Sequence, residues 1–237
     1  HSGLKNGSSG EMLFILKNKM YKLSNTCQIK NLNKIYMDFF GFPYEGFFVE
    51  VGAFDGESFS NTSGLADSGW KGIYVEPIES HYNQCMKRHE KNDVSVVQCS
   101  VGTYEGEIEI YEGSFLTTSD VEQVKRYSQI DWSKNIPFQK SKCEQLRLDT
   151  LLNHFEVSPR FDLLVVDVEG RETDVFNSFD LNYWKPKMLI VEIEDEHESF
   201  KEYEDYIEMN KSLREKIKSS GYIELYKDQI NTVFINE

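Results

Sequence analysis

Two apolar runs, each ending near an acidic residue and separated by room for one helix, constrain this chain more than any other feature. The first, Phe47-Phe48-Val49-Glu50-Val51, enters a turn, Gly52-Ala53-Phe54-Asp55-Gly56, with two glycines four positions apart. The second, Gly72-Ile73-Tyr74-Val75-Glu76, stops at Pro77. In a doubly wound α/β sheet such a pair holds a nucleoside: the glycine turn allows close backbone approach, and the second carboxylate meets the ribose hydroxyls. A pyrophosphate cradle wants G-x-G-x-x-G, which Gly52-x-x-x-Gly56 does not supply. A small loop among acids suits a cationic nucleoside such as S-adenosylmethionine.

The 237 residues fit one large α/β domain with a sizeable core. Forty acidic against 26 basic residues give a formal charge of −14, a poor match to nucleic acid. Lys87-Arg88-His89 and Lys125-Arg126 are short and read as solvated helix faces. No apolar run approaches the roughly 20 residues that span a bilayer, so membrane insertion is not expected. Residues 1–10 are polar and glycine-rich, read as an arm outside the fold and without the pattern of a signal peptide. Cys27, Cys85, Cys99 and Cys143 lack metal-ligand spacing and read as reduced thiols, which fits a cytoplasmic protein.

The pattern predicts an N-terminal helical cap over 11–45, with a helix from Glu11 to Lys34, followed by the main domain over 46–237. The aromatic stretch Ile35 to Pro43 either packs on that domain or lines a substrate cleft. In the main domain, strands at Phe47–Val51, Gly72–Glu76 and Val94–Cys99 alternate with helices near Ser60–Ser68 and Glu79–Lys91. This predicts parallel pairing with right-handed crossovers. Glu107–Tyr111 alternates as a half-buried strand. Gly113 to Cys143 reads as a long loop with one short helix, a candidate lid or substrate loop. Beyond it come a short strand at Glu144–Leu148, a helix at Thr150–Phe155 capped by Asp149, and a buried strand at Phe161–Asp167. A helix at Arg171–Phe179, a strand at Met188–Ile193, a helix at Phe200–Ser219 and a closing antiparallel hairpin complete the fold.

Ligands of open α/β sheets bind beyond the carboxyl ends of the strands. Glu50, Glu76, Asp167 and Glu192 are expected there. Gly52, Ala53 and Gly56 form the cofactor turn, and Glu50 orders it or accepts from the cofactor's ammonium. Glu76 takes the ribose hydroxyls and Pro77 directs the chain away, while Ser100 and Val101 flank an adenine ring. Ser60 and Asn61, with Thr62, offer donors to a carboxylate such as that of the methionyl tail. Transfer to a hydroxyl needs a proton acceptor near the methyl, and Asp167, Glu192 and Glu194 are the candidates. The same acids suit one Mg²⁺. His197 reads as a surface residue or a further base.

Five segments carry a family likeness: Val49-Glu-Val-Gly-Ala-Phe-Asp-Gly56, Gly69-Trp-Lys-Gly-Ile-Tyr-Val-Glu-Pro77, Val101-Gly-Thr-Tyr-Glu-Gly-Glu-Ile-Glu-Ile-Tyr111, Leu146-Arg-Leu-Asp-Thr-Leu-Leu152 and Phe161-Asp-Leu-Leu-Val-Val-Asp-Val-Glu-Gly-Arg-Glu172. In this order the chain resembles the FkbM family of S-adenosylmethionine-dependent methyltransferases, from about Phe47 to Glu194. The resemblance implies a class I methyltransferase fold, Rossmann-like: a seven-stranded, mostly parallel sheet with an antiparallel last strand and helices on both faces. It also implies O-methylation of a small-molecule or glycan acceptor, often a sugar hydroxyl, with Glu50, Gly52, Glu76 and Asp167 in cofactor and active-site roles. Glu50 stands where many members have Asp, and Glu194 where many have His. The loop from Gly113 to Cys143 matches little, so the acceptor does not transfer with the likeness. The rival readings are a nicotinamide-dependent oxidoreductase and a non-catalytic S-adenosylmethionine-binding module.

Overall fold

The structure, a computed structural model, describes residues 20–42 and 44–236. The arm over 1–10, the first part of the expected N-terminal helix and Pro43 lie outside the described residues. In chain order the elements are α1 (Leu32–Phe39), β1 (Phe47–Val51), α2 (Ser63–Asp67), β2 (Lys71–Val75), α3 (Glu79–Arg88), β3 (Val94–Val97), β4 (Ser100–Val101), β5 (Gly106–Glu112) and α4 (Val121–Tyr127). There follow β6 (Gln139–Leu146), α5 (Leu148–His154), β7 (Leu163–Val166), α6 (Glu172–Asn177), α7 (Leu181–Trp184), β8 (Met188–Glu192), a 3-10 turn (Glu198–Phe200), α8 (Glu204–Ser219), β9 (Ile223–Lys227) and β10 (Asn231–Ile235).

Seven strands form the main sheet in the order β3-β2-β1-β7-β8-β10-β9. The first five are parallel, and β10 enters antiparallel between β8 and β9. This is the class I methyltransferase arrangement. Successive side chains of a strand point to opposite faces. Val49, Val51, Leu164, Val166, Leu189 and Val191 therefore meet α5, α6 and α8 on one face. Phe48, Leu163, Val165, Met188 and Ile190 meet Leu65, Trp70 and the N-terminal segment on the other. Burial on both faces explains why β7 and β8 read as continuous apolar runs.

Several expectations change. Residues 20–31 are not helical: the Ser24 hydroxyl accepts from the Thr26 amide, a local bond that competes with helix. The helix is α1, whose Leu32 and Tyr36 are buried one turn apart. The aromatics of this region pack around Trp70 behind the sheet, Phe40 meeting it edge to face at 5.0 Å between ring centroids. Of the segment 20–42, Gln28 alone lines the cleft described below. Asp149 does not cap α5. It pairs with Arg147 (2.9 Å), and the Ser178 hydroxyl instead accepts from the Leu148 amide at 3.1 Å.

The second sheet, β4-β6-β5, was not anticipated. β6 begins at Gln139 and pairs antiparallel with all of β5, so the irregular excursion spans 113–138 at the end of a two-stranded ribbon. Its own small core, Leu116, Tyr127 and Ile130, packs on Phe200 and Tyr206. The four thiols are free. Among the described residues no helix is long and apolar enough to cross a membrane.

Candidate active site

Strand register puts the chemistry on one line. Val75, Val51, Val166 and Val191 are level across β2, β1, β7 and β8. The next residues, Glu76, Gly52, Asp167 and Glu192, therefore form a row along the carboxyl edge of the sheet. With strands about 4.8 Å apart, that row spans roughly 14 Å. It floors a cleft of about 310 Å³ whose far wall is the excursion, through Ser114–Ser119, Tyr127 and Trp132.

Glycine is required in this row for a specific reason. Gly52 has φ +93°, and a Cβ there would lie 1.6 Å from the Asp167 carbonyl oxygen. The close approach expected between the turn and a ligand is thus also an approach between two strand ends. The Gly52 and Ala53 amides donate to the Val75 carbonyl, at 3.0 and 3.1 Å. Gly56 lies outside the cleft lining and packs on Cys85 and His89 of the α3 region.

Glu76 is buried and uses both oxygens: Oε2 accepts from the Phe54 amide and Oε1 from the Ile78 amide, each at 2.9 Å. An ionised carboxylate has about four acceptor positions, so room remains for two donors from a ribose. Pro77, Ser100 and Val101 line the same end of the cleft, with His81 and Phe54 in ring contact beside them.

Glu50 sits two residues before the row and is held from behind it. Its carboxylate accepts from the Ser60 hydroxyl (3.2 Å), the Asn61 amide (3.4 Å) and the Thr62 hydroxyl. Burial raises its pKa to about 7 against these bonds. Ser60 Oγ also accepts from the Thr62 and Ser63 amides. The donors expected for a methionyl carboxylate are therefore engaged with Glu50 and Ser60. Ser60 lines the cleft, whereas Asn61 lies outside its lining, its carbonyl accepting from the Tyr36 hydroxyl.

The other end of the row is a cluster of carboxyls. Asp167, Glu169, Glu192 and Glu194 all line the cleft. Glu169 reaches it because its backbone is left-handed (φ 55°), as is that of Gly170 (φ 91°). Glu172 braces this turn by accepting from the Val168 (2.9 Å) and Gly170 (3.3 Å) amides. The Tyr127 hydroxyl donates to Glu169, and the Tyr206 hydroxyl to Glu194 at 2.8 Å. Burial dominates the acidities. It raises Asp167 to about 6, opposed by a hydrogen bond from Glu192. It raises Glu194 to about 8, opposed by the Tyr206 bond. Glu169 and Glu192 lie well above the ordinary range through burial and then the Asp167 charge. His197 lines the cleft, its pKa lowered by burial.

Tyr127, Trp132, His81 and Glu169 were not among the expected site residues. Glu169 was legible in principle, since an acid before glycine marks a turn at a strand end. The two aromatics carry no local signal beyond lying in a long loop.

The chain belongs to the FkbM methyltransferase domain family, whose model matches residues 50–223. It is an S-adenosylmethionine-dependent methyltransferase, and the oxidoreductase and non-catalytic readings are set aside. No curated protein matches the chain. Among solved structures, an O-methyltransferase from Bacillus cereus in complex with SAH has 15% identity and a TM-score of 0.49, covering 95% of this chain and 87% of its own. A putative caffeoyl-CoA O-methyltransferase from Staphylococcus aureus has 13% identity and a TM-score of 0.48, covering 98% and 93%. A putative O-methyltransferase from Klebsiella pneumoniae has 10% identity and a TM-score of 0.49, covering 91% and 84%.

Proposed function

We propose that this methyltransferase acts on a hydroxyl of a neutral sugar, glycan or glycosylated natural product. The observation that carries the reading is the division of the strand-end row: an isolated ribose-type acid at Glu76, and a carboxyl cluster under the excursion that begins about 10 Å away at Asp167 and reaches roughly 14 Å at Glu192. The nucleoside lies over β2 and β1, with Glu76 accepting from the ribose and Val101 against the adenine. Gly52, Ala53 and Ser60 border the methionyl portion, and the sulfonium faces Asp167. The acceptor enters between the cluster and Trp132, half exposed on the far wall, whose ring suits the apolar face of a sugar. An anionic acceptor is disfavoured, because Arg171, the arginine lining the cleft, is already paired with Asp174.

Transfer is a direct displacement. The acceptor oxygen forms a bond to the methyl carbon, the carbon–sulfur bond breaks with its electron pair going to sulfur, and the hydroxyl proton leaves. Glu194 takes that proton: a carboxyl raised to about 8 is a stronger base than an ordinary one and stays matched to neutral pH. Asp167 and Glu192 orient the hydroxyl. Tyr206 fixes the Glu194 carboxyl through its hydroxyl.

The test is release of S-adenosylhomocysteine with a panel of neutral sugars and glycosides, on the native chain and on Glu194→Gln. Turnover with a hydroxyl acceptor is expected to fall by about 10²–10⁴-fold in the variant, the usual worth of a positioned base. S-adenosylhomocysteine affinity is expected to stay the same. Wild-type turnover in Glu194→Gln removes this residue as base, and methylation confined to amines or thiols overturns the acceptor class.

A further inference from the structure

We propose that Asp167, Glu169 and Glu192 together bind one hard divalent cation of the Mg²⁺ or Ca²⁺ type at the acceptor end of the cleft. The site rests on the reading that the acceptor docks there, and it deepens that reading by giving the hydroxyl a Lewis acid. One carboxylate oxygen from each of the three residues lies within 4.8 Å of the other two. Two oxygens on a common ion are separated by no more than twice the metal–oxygen bond, about 5 Å for Ca²⁺ and about 4.2 Å for Mg²⁺. The triad fits the larger ion as it stands and the smaller after slight closure. All-oxygen donors of this charge select hard cations over zinc or copper.

A second observation points to a ligand independently. Glu192 is 7% exposed, and its Oε2 is buried with no hydrogen-bond partner among the described residues. A buried carboxylate oxygen left unpaired is costly. Basic side chains do not resolve it. Arg171, which lines the cleft, pairs with Asp174 through Nη2 while its buried Nε reaches no acceptor among the described residues, and Arg126 pairs with Asp120 and Asp205. A proton shared by Asp167 and Glu192 would relieve that pair, yet it leaves Glu169 as a third carboxyl in the same small space. One cation satisfies all three. The surrounding groups fix the donors as a metal site requires: Tyr127 holds Glu169, and Glu172 clamps the turn that carries it. With the acceptor hydroxyl as a further ligand, a bound cation would make its proton easier to remove by a neighbouring carboxyl.

Isothermal titration of MgCl₂ and of CaCl₂ into the full chain, without cofactor or acceptor, tests this directly. One saturable site is expected for at least one of the two ions. Glu192→Gln, nearly isosteric, is expected to weaken it by about tenfold or more. Parallel titration with S-adenosylhomocysteine reports the cofactor site separately and verifies that the variant is folded. Tb³⁺ offers a second readout: its luminescence, excited through Tyr127, should appear on binding and be displaced by Ca²⁺. Absence of saturable binding up to millimolar ion, or equal affinity in Glu192→Gln and Asp167→Asn, overturns the proposal and leaves a shared proton as the occupant. Cation binding without S-adenosylhomocysteine binding would overturn the cofactor placement and leave the cation site standing.

Discussion

Glu76 holds two backbone amides at once, and that double grip fixes the turn after β1 as well as presenting a carboxylate to the cleft. Phe54, one of the two donors, sits in a left-handed conformation (φ 49°) that such an anchor helps maintain. Glu76→Ala is therefore expected to weaken S-adenosylhomocysteine by roughly 1.5–3 kcal/mol, the loss of a charged hydrogen-bond acceptor. Calorimetry measures this, and an unchanged dissociation constant would detach Glu76 from the ribose. Residues of this kind were legible because Glu76, Asp167 and Glu192 each follow an apolar strand directly. Glu50 precedes the last apolar residue of its strand, so it falls two positions short of the row and faces the 60–62 segment. Its strand was legible from the sequence; its depth was not, since that depends on register with β2 and β7.

The element that forms the far wall of the cleft is the 113–138 excursion, mounted on the β5/β6 ribbon. Its small core with Phe200 and Tyr206 ties it to the entry of α8. Trp132 is half exposed, lines the cleft, and is held by its indole N–H donating to the Ser199 hydroxyl at 3.1 Å. Trp132→Ala should raise the acceptor KM by about two- to tenfold, the order of one lost aromatic contact. The affinity for S-adenosylhomocysteine should not move. Steady-state kinetics with a sugar or glycoside that the enzyme methylates, beside calorimetry with S-adenosylhomocysteine, would check both, and an unaltered KM would move the acceptor away from this wall. The ribbon escaped sequence reading because β6 alternates Lys140 and Lys142 with small residues. Its charges pair with Glu109 (2.7 Å) and Glu107 (2.5 Å) of β5 rather than signalling a buried face. A strand stabilised by partners thirty residues away carries no apolar period of its own.

Over the whole molecule, a formal charge of −14 is combined with acids buried inside the domain. Glu50 makes the consequence measurable. Its pKa is near 4.5 when the chain is unfolded and about 7 when folded, raised by burial. The folded state then holds a proton that the unfolded state has lost, so stability falls as pH rises from about 4.5 through about 7. Cofactor-free protein is expected to melt at a lower temperature at pH 8 than at pH 6, with a shallower decline in Glu50→Gln. Identical slopes in both proteins would assign the decline to other groups. The seven-stranded, mostly parallel sheet with its antiparallel closing strand was legible from the alternating elements and from the family likeness. The second sheet was not, because it forms only when β4 and β6, distant in sequence, meet side by side.

The contact between Gly52 and the Asp167 carbonyl has one more implication. With cofactor and acceptor placed as proposed, on either side of this contact, their spacing would be set by main chain against main chain, a distance no side-chain rearrangement can retune. On that placement, drift in the overhanging segment would change what is modified while the alignment of the transfer itself is inherited intact.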